Sequence, residues 1–543
     1  MRRPSGFRGT FRDDDEARAV YSEGAGVARI APRAVAVPAD EADVESLVAW
    51  AHATKTPLVP RGSGSGMAAG AIGDGIVVDL SRLRRIAPVD VTGMQIAVGP
   101  GVLRDEVDRL ASAHGLRLPV DPSSGAFCTV GGMTATNAAG AHSLKHGPMR
   151  SWVSAADCVF DDGSRGVVRR DEPIADDIPA IARFLAGPDR RLRAGGSRWM
   201  RPGIRKNTSG YALDEYARDG ELLDLIVGSE GTLAIIVGVE LALAPVPGAT
   251  ASLLATFATL EEAVAGAGAA REAGASACEL LDRTFLDVVG EASASEIPAG
   301  TEAVLLIEVE GSRPESATEQ ARALERAMVG AGASRVALGL VPGAEAAMWA
   351  LRHAASPILS RLDPSLKSMQ FIEDGAVPPT RLPEYVRGVR AALASHDVRG
   401  VIFGHAGDAH VHVNPLVDVS RPDWRARVDA VLDDVVELTA RLGGTLAGEH
   451  GDGRLRAPLL ARTWDGDTLA MFREIKRAFD PRGILNPGVK VPLPGQRPLG
   501  AIKYDPALAA LPSAARRVLD RVERERAYAG FRLGMLEEGG EGR

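Results

Sequence analysis

Residues 401–415, VIFGHAGDAHVHVNP, constrain the fold more than any other stretch of this sequence. The first three residues are typical of a buried strand, the central Gly-Asp pair of a turn, and the Val-His-Val segment of a returning strand. The stretch therefore predicts an antiparallel hairpin that carries imidazoles between apolar side chains. A two-residue turn sets His405 opposite His410, whereas a looser turn brings His412 across instead.

These histidines are candidates for a metal or catalytic centre. Two converging neutral imidazoles are what a divalent metal requires. The later segment GTLAGEHGDGR adds a carboxylate and another imidazole at Glu449 and His450. A single histidine in an apolar strand is more often a hydrogen-bonded core residue. Here several histidines are grouped in a chain that has only 10 of them, and the grouping favours the metal or catalytic interpretation.

The composition is that of a large globular protein with 543 residues, 45% hydrophobic and 25% charged. This length predicts two or three domains. The formal net charge of −8 argues against nucleic acid or an anionic membrane as a partner. No apolar run approaches the roughly 20 residues of a membrane span, and no hydrophobic segment follows the N-terminal arginines. We therefore expect a cytoplasmic location, with membrane contact only through a partner.

Two glycine-rich passages are candidate ligand cradles. The strand-like PLVP leads into RGSGSGMAAGAIGDG, and a second strand, GIVVDLS, follows. Glycine lets backbone amides crowd together into a concave anion site that suits a pyrophosphate. The loop matches neither the Walker sequence nor the G-x-G-x-x-G fingerprint. The second passage, LPVDPSSGAFCTVGGMTATNAAGAHSLKHG, is rich in small residues and lets backbone approach a flat or phosphorylated ligand.

Hydrophobic periodicity predicts an α/β pattern from residue 31 onward. AVAV is a predicted strand, followed by an amphipathic helix with an aspartate-rich start. The stretch DLIVGSEGTLAIIVGVELALAPVP predicts a strand, a tight turn at Glu230 and a second strand that ends the first domain. Helices and strands then alternate up to about residue 400.

Nine motifs occur in the order found in a known flavoprotein family. They are PRGSGSGMAAG, DPSS, VGGMTATNAAG, SLKHG, KNTSGY, GSEGTL, GHAGDAHVHVNP, GEHGDG and FDPRGILNPG. The chain therefore resembles the FAD-linked oxidases of the vanillyl-alcohol-oxidase (PCMH) type. Within them it is most similar to the D-2-hydroxyacid dehydrogenases, which include D-lactate dehydrogenase, the FAD subunit of glycolate oxidase and D-2-hydroxyglutarate dehydrogenase.

This resemblance implies an α+β fold with a FAD-binding domain of two subdomains and an α+β cap domain whose antiparallel sheet covers the flavin. The implied parts are an arm at 1–30, the FAD-binding domain at 31–247, a substrate and cap domain with the metal site at 248–455, a segment returning to the flavin at 456–495 and a helical tail at 496–543. The tail is expected to be a solvated or packing helix, and the alternative is a docking helix for a partner.

The resemblance also implies a non-covalent FAD, because the first loop lacks the histidine to which some relatives attach their flavin. His146 stands where relatives usually have tyrosine, and the sequence assigns it no role. The residues implied to bind FAD are Arg61, Gly62, Ser63, Gly64, Ser65, Gly66, Pro122, Ser123, Ser124, Gly132, Thr134, Asn137, Gly140, Glu230 and Asn486.

The family's substrate and metal residues map onto the second half of the chain. The implied substrate-binding residues are Arg352 for the carboxylate, Ser356, Asn414 and His450, and His450 is also the implied base. The implied ligands of a divalent metal, Zn or Mn, are His405, His412 and Glu449. A ligand swap to His410 remains open. Lys367 is offset from the lysine that D-2-hydroxyglutarate dehydrogenases use on the distal carboxylate, which weakens the case for a dicarboxylate substrate.

The implied activity is FAD-dependent, metal-assisted oxidation of a D-2-hydroxy acid to the 2-oxo acid. Cys128, Cys158 and Cys278 lie far apart and form no CxxC pair, so we expect a separate electron acceptor: an iron–sulfur protein, a cytochrome or a quinone. Two alternatives remain open. The chain could be a glycolate or D-lactate oxidase subunit that is active only in a complex, or a flavin-binding subunit without catalysis.

Overall fold

The computed structural model describes residues 3–292, 298–353 and 365–538, and it confirms the α+β fold class. Two small sheets build the first half of the chain and one large antiparallel sheet builds the second half. The strands are β1 Thr10–Arg12, β2 Ala34–Val37, β3 Leu58–Arg61, β4 Ile76–Asp79, β5 Gln95–Val98, β6 Leu116–Arg117, β7 Val153–Val159, β8 Arg165–Arg169, β9 Ile235–Ala242, β10 Ala244–Pro245, β11 Ala249–Phe257, β12 Ala277–Asp282, β13 Ala303–Gly311, β14 Arg335–Gly339, β15 Leu366–Ser368, β16 Gly375–Ala376, β17 Arg399–His405 and β18 His410–Asp418.

The first sheet places the first glycine loop at the end of a strand. Its order is β1-β2-β4-β3, with β2, β4 and β3 parallel and β1 antiparallel to β2. Helix Glu41–Thr54 connects β2 to β3, and Asp40 caps it by accepting a hydrogen bond from the amide of Asp43. The predicted N-terminal arm is built into this layer through β1 and helix Asp15–Val20. The glycine loop follows β3 directly.

The second sheet is antiparallel in the order β5-β9-β7-β8. The predicted strand over residues 224–227 is wrong, because these residues belong to helix Leu222–Ile226 and the loop after it. Strand β9 already has β5 and β7 as neighbours, so the sheet has no place there for another strand. Short apolar runs do not reveal their own secondary structure. The other helices of this part are Arg104–Ser112, Val130–Thr136, Ser143–His146, Pro179–Ala186, Asp189–Gly195 and Leu213–Asp219.

The cap sheet runs in the order β14-β11-β13-β12-β17-β18-β15, and β16 also pairs with β18. Strands β17 and β18 form the predicted hairpin, in which His405 lies opposite His410 and Phe403 lies opposite His412. Helix Leu260–Glu272 begins with a capping box between Thr259 and Glu262. The other helices of the cap are Arg283–Ala292, Pro314–Gly330, Pro342–His353, Leu382–Ser395 and Trp424–Arg441.

After the cap the chain returns to the first half of the molecule. Leu485 forms a parallel bridge with Leu58 of β3, and Ile484 joins the buried cluster of the first sheet. The tail contains two helices from Ser513 onward, and Ala515 and Leu519 are buried in the cluster that also holds Tyr21. The helices of this region are Gly453–Arg456, Leu460–Thr463, Gly466–Phe479, Ser513–Glu525 and Tyr528–Glu538.

Candidate functional site

A cavity of about 1350 Å³ runs from the first glycine loop to the histidine hairpin. This volume exceeds the roughly 300–1,000 Å³ of ordinary small-molecule pockets, so it accommodates a dinucleotide with a small acid beside it. The predicted cofactor and metal residues therefore share one space. The predicted cofactor residues that line it are Arg61, Gly62, Ser63, Gly64, Ser65, Gly66, Pro122, Ser123, Ser124, Gly132, Gly140, Glu230 and Asn486.

The first loop presents bare backbone to this cavity. A Cβ atom added at Gly66 would meet nothing within 4 Å. At Gly64, where φ is +77°, a Cβ atom would lie 2.2 Å from the Arg61 guanidinium, so a side chain has no room there. An open concave surface of backbone amides over a buried cation fits the diphosphate of a dinucleotide.

Arg61 supports the loop from beneath. Its guanidinium donates to the backbone carbonyls of Tyr21, Glu23 and Ala71 at 3.1–3.4 Å, and the residue is 2% exposed. Its Nε atom is buried without a hydrogen-bond partner. Burial lowers the pKa of Arg61 to about 9, and the nearby Arg532 cation adds to the effect. This buried cation therefore stabilises an anion placed above the loop.

Glu230 and Asn486 hold the loops together. The Glu230 carboxylate accepts from the backbone amides of Asp452 and Gly453 at 2.7–3.3 Å. The Asn486 amide donates to the carbonyls of Gly70 and Glu230 at 3.0 and 2.7 Å. Their side-chain hydrogen bonds go to protein groups, so both residues shape the cavity more than they reach into it.

Two predicted cofactor residues, Thr134 and Asn137, do not line the cavity. The Thr134 hydroxyl donates to the carbonyl of Val130, and the Asn137 side-chain oxygen accepts from the amide of Arg150. Asn137 ends helix Val130–Thr136 with φ at +52°. Thr134 and Asn137 point into the protein because they lie on the inward face of this helix.

The hairpin brings three ligand atoms into a nearly equilateral triangle. His405 Nε2 lies 3.3 Å from His412 Nε2 and 3.3 Å from Glu449 Oε1, and His412 Nε2 lies 3.3 Å from Glu449 Oε1. A tetrahedral ion with ligand bonds of about 2.0–2.1 Å holds its ligand atoms roughly 3.3–3.4 Å apart. The three predicted ligands therefore fit a divalent metal, and His410 lies within the same cluster of possible ligands.

The outer partners of these ligands set which nitrogen carries the proton. His405 Nδ1 lies 2.5 Å from Glu279 Oε1, and His412 Nδ1 lies 2.9 Å from the backbone carbonyl of Glu373. Each Nδ1 therefore donates, and both Nε2 atoms face Glu449. His405 Nε2 offers a lone pair once that histidine loses its second proton. A carboxylate or carbonyl behind a histidine is the usual support of a metal ligand.

The charges around the triangle match a bound cation. Burial raises the pKa of Glu449, but Lys206, His405 and His412 together outweigh burial and hold the pKa well below its usual range. Lys206 Nζ lies 2.9 Å from Glu449 Oε2. Burial lowers the pKa of His412 to about 4. Burial also lowers the pKa of His405, but Glu279 reverses this and raises it to about 9. Metal binding would therefore release a proton from His405.

His410 lies beside the triangle and belongs to a different hydrogen-bond network. Its Nε2 lies 2.9 Å from Asp374 Oδ1, and its Nδ1 is buried without a partner. Asp374 also accepts from the backbone amides of Glu449 and His450 at 3.1 and 2.9 Å. His410 and Asp374 therefore position the loop that carries Glu449.

His450 and Arg352 complete the wall of this end of the cavity. His450 stacks on His412, with ring centroids 5.3 Å apart, and its Nδ1 lies 3.2 Å from Glu373 Oε1. Burial lowers the pKa of His450, but Asp374 and Glu373 raise it to about 9. The Arg352 Nε donates to Glu279 at 2.8 Å, and its guanidinium lies over the Phe403 ring at 4.5 Å.

Asn414 also lines the cavity, whereas Ser356 lies outside the described residues. Sequence analysis missed Glu279, Lys206 and Asp374. Glu279 bridges His405 and Arg352, and the signal that could have found it is a lone carboxylate in the apolar strand β12. Lys206 and Asp374 lie in the quoted motif KNTSGY and in FIEDGAVP, but nothing local indicates their partners.

Two family models match this chain. The model described as "FAD binding domain" matches residues 32–167, and "FAD linked oxidases, C-terminal domain" matches residues 246–489. The second match begins at residue 246, just before β11 opens the cap sheet. The glycine loops thus lie in the first matched region and the metal triangle in the second.

Curated relatives are similar in sequence to most of this chain. "Glycolate oxidase subunit GlcD" from Bacillus subtilis is 29% identical over 88% of this chain and 93% of the relative. "D-lactate dehydrogenase" from Archaeoglobus fulgidus is 29% identical over 84% and 92%. "D-2-hydroxyglutarate dehydrogenase" from Pseudomonas putida is 29% identical over 90% of this chain and 51% of the relative.

Solved structures agree on the fold. The 4-ethylphenol oxidase from Gulosibacter chungangensis has a TM-score of 0.63 at 15% identity and covers 89% of this chain and 94% of its own. An alkyldihydroxyacetonephosphate synthase has a TM-score of 0.60 at 17% identity and covers 88% and 82%. The fold is shared with these two proteins. The two matched regions give this chain a FAD-binding domain and the C-terminal domain of FAD linked oxidases.

Proposed function

We propose that this protein oxidises a small D-2-hydroxy acid to the 2-oxo acid with FAD and a divalent metal, Zn or Mn, and passes the electrons to a separate acceptor. The observation that carries the proposal is the shared cavity, in which the glycine loops and the triangle of His405, His412 and Glu449 line the same space. The curated relatives named above support the substrate class.

Arg352 is the group that would bind the substrate carboxylate. Glu279 holds its Nε at 2.8 Å and fixes the plane of the guanidinium, so among the described residues the terminal nitrogens remain for a ligand. A planar guanidinium binds a carboxylate through two parallel hydrogen bonds. Asn414 lines the same wall and offers an amide to the substrate.

His450 is the group that would take the hydroxyl proton. Glu373 holds its Nδ1 at 3.2 Å, which directs Nε2 toward Glu449 at 3.6 Å and toward the substrate position. The carboxylates around His450 keep its pKa at about 9. A cation held by the neighbouring Glu449 would lower the pKa of His450 by repulsion, so that Nε2 loses its proton and can act as a base.

The two groups that the chain would bind supply the remaining chemistry. A divalent metal held by His405, His412 and Glu449 would make the substrate hydroxyl more acidic, and FAD held by the glycine loops would supply the hydride acceptor. The protein's own part is to orient the acid, to remove the proton and to keep water out of the cavity.

The charges at this end of the cavity favour a short monocarboxylic acid. Among the described lining residues there, Arg352 is the one guanidinium or ammonium group, accompanied by Gln370, Phe403 and Asn414. Lys367 does not line the described cavity wall, and its ammonium lies 5.9 Å from the Tyr504 ring. A second substrate carboxylate would therefore find no cation comparable to Arg352.

A partner subunit is the second part of the proposal. The three cysteines are buried and distant in sequence, so they provide no cluster site within this chain. The name of the Bacillus subtilis relative describes a subunit, which supports transfer to a protein partner and favours the alternative of an oxidase subunit active in a complex. In the described part of the chain, no helix combines the length and the apolar character needed to span a bilayer.

Anaerobic reduction of the bound flavin tests the proposal. The purified protein is mixed in turn with D-lactate, L-lactate, glycolate, D-2-hydroxyglutarate and D-malate while the visible flavin absorbance is recorded. We expect a short D-acid or glycolate to bleach the flavin without any acceptor, and a chelator to prevent this. The reaction needs no partner in this assay because one flavin takes both electrons.

The outcomes separate the alternatives. Bleaching that a chelator leaves unchanged would refute the need for a metal but still support oxidation of the acid by the flavin. A yellow protein that none of the acids bleaches, alone or after addition of a candidate acceptor protein, would refute the catalytic proposal and support a flavin-binding subunit.

A further inference from the structure

The C-terminal helical pair, residues 513–538, forms part of the wall of the large cavity. Glu523, Arg524, Arg526 and Tyr528 line the same space as the first glycine loop. Both matched family regions end at or before residue 489, so nothing in them accounts for this wall. The tail that was expected to be a solvated, packing or docking helix therefore lies at the proposed cofactor.

Arg532 fastens this pair to the glycine loop. The residue is 1% exposed, and its guanidinium donates to the backbone carbonyls of Ser63, Glu23 and Val20 at 3.1–3.2 Å. The carbonyl of Tyr528 accepts a fourth hydrogen bond from Arg532 at 3.0 Å. All four acceptors are neutral, and no carboxylate forms an ion pair with Arg532 in the described part of the chain. Arg61, bonded to carbonyls beneath the same loop, is a second buried cation of this kind. Two buried cations whose hydrogen bonds go to neutral carbonyls favour an anion at the loop surface.

Two more cations of the pair face the cavity without partners. Arg524 and Arg526 are exposed, and neither guanidinium has a hydrogen-bond or ion-pair partner among the described residues. Their neighbours are paired: Arg516 bonds to Asp520, and Glu523 lies 3.5 Å from the Lys503 ammonium. Free guanidiniums on the wall of a deep cavity are suited to bind phosphate oxygens.

The backbone at the turn between the two helices directs these side chains. Arg526 has φ at +59°, a conformation that favours glycine, and it ends helix Ser513–Glu525. Just beyond the turn, the Tyr528 ring stacks on Phe127 of the second glycine-rich passage, with centroids 5.2 Å apart. The aromatic pair thus holds the turn against the opposite wall, and both rings line the cavity.

We propose that the C-terminal helical pair is the outer half of the dinucleotide site, with Arg524 and Arg526 binding the phosphates of FAD across from the glycine loop. The loop supplies backbone amides on one side and the tail supplies guanidiniums on the other. The pair is a phosphate clamp that retains the non-covalent cofactor. This inference rests on FAD binding and is independent of which acid the protein oxidises.

Titration of the apoprotein with FAD, followed by the fluorescence of the flavin, tests the clamp. The double variant Arg524→Ala/Arg526→Ala is compared in the full chain with the wild type. Arg517→Ala is the matched control, because Arg517 is exposed on the same helix and does not line the described cavity wall. We expect the double variant to bind FAD at least tenfold more weakly and the control to stay within twofold of the wild type.

Salt dependence identifies the interaction as ionic. Because added salt screens contacts between charges, we expect the Kd of the wild type to rise more steeply with sodium chloride than that of the double variant. Equal thermal midpoints of the apoproteins exclude misfolding as the cause. A double variant that binds FAD as tightly as the wild type, or more weakly with an unchanged salt dependence, would overturn the clamp. Bleaching by hydroxy acids is measured separately, so failure of the clamp and failure of the proposed reaction are distinguishable.

Discussion

At the scale of the residue, the chemistry of the cavity depends on which histidine nitrogens carry protons. Glu279 and the carbonyl of Glu373 accept hydrogen bonds from Nδ1 of His405 and His412, so both Nε2 atoms converge on Glu449. The Glu449 carboxylate has little freedom to move, because Lys206 holds its second oxygen, Oε2. Protein contacts therefore hold the triangle in place, and preorganisation of this kind favours tight binding.

Replacement of Glu449 by glutamine tests the triangle directly. The amide keeps the size of the side chain but removes the charged ligand, so we expect Glu449→Gln to lose bound metal and flavin reduction together while FAD is retained. Elemental analysis and anaerobic spectra measure the two effects. His396→Ala is the control, because His396 pairs with Asp434 away from the cavity. Full turnover in Glu449→Gln would contradict the assignment.

Glu279 is the residue whose role only the structure reveals. It supports the ligand His405 and the substrate residue Arg352 at once, at 2.5 and 2.8 Å. We expect Glu279→Gln to weaken metal affinity by roughly 10–100-fold, as is usual for the outer partner of a metal ligand. The same change should raise KM for the acid, because Arg352 loses its support. Metal affinity measured by chelator competition that matches the wild type would contradict this role.

At the scale of the element, the hairpin β17–β18 positions the two histidines of the candidate metal site. Gly404 lies opposite Val411, and a Cβ atom there would come within 2.5–2.7 Å of the carbonyl of His410 and the Cα of Val411. The neighbouring strand therefore requires glycine at this position.

We expect Gly404→Ala to push β17 away from β18, displace His405 and lower the metal content, together with a loss of roughly 1–3 kcal/mol of stability from overpacking. Elemental analysis and thermal unfolding measure both effects. Gly466→Ala is the control, because a Cβ atom there meets nothing within 4 Å. A variant with normal metal content would show that the hairpin tolerates a wider spacing.

Elements with strong local signals could be predicted from the sequence. The hairpin, the strands around the first loop and the amphipathic helices follow from alternation and capping. The register that sets His405 opposite His410 follows from a short connection, but the approach of Glu449 and Lys206 does not, because these residues come from distant segments. Thr134 and Asn137 failed as cavity residues because a motif gives positions and does not give the direction of a side chain.

At the scale of the whole molecule, the cavity exists because the cap sheet packs against the loops of the FAD-binding part. Two carboxylates of β13 make that contact. Glu310 accepts from Arg117 and Lys145 at 2.6 and 2.9 Å. Glu310 also contacts His146, so His146 belongs to the same interface. The second carboxylate, Glu308, contacts His142. Ionic contacts of this kind hold the cap in place while leaving the cavity polar.

His142 links the two halves through both ring nitrogens. Its Nδ1 lies 2.6 Å from Asp121 in the FAD-binding part, and its Nε2 lies 2.8 Å from Glu308 of the cap. Burial lowers the pKa of His142, but Asp121 and Glu308 more than offset this and raise the pKa to about 11. The folded protein therefore holds a proton that an unfolded histidine, with a pKa of about 6.5, releases at neutral pH.

The sign of the pH dependence follows from this difference. A raised folded pKa stabilises the protein fully below about pH 6.5, and the contribution is lost as the pH rises toward about 11. We expect His142→Gln to lower the free energy of unfolding by about 3 kcal/mol at pH 7, because it leaves two carboxylates without their cation. We also expect the difference in thermal midpoint between variant and wild type to narrow steadily as the pH rises from 7 to 10. His114→Gln, at an exposed position, should show no such trend. A gap that stays constant with pH would mean that His142 joins the two halves as a neutral ring, with no ionic contribution to closing the cavity.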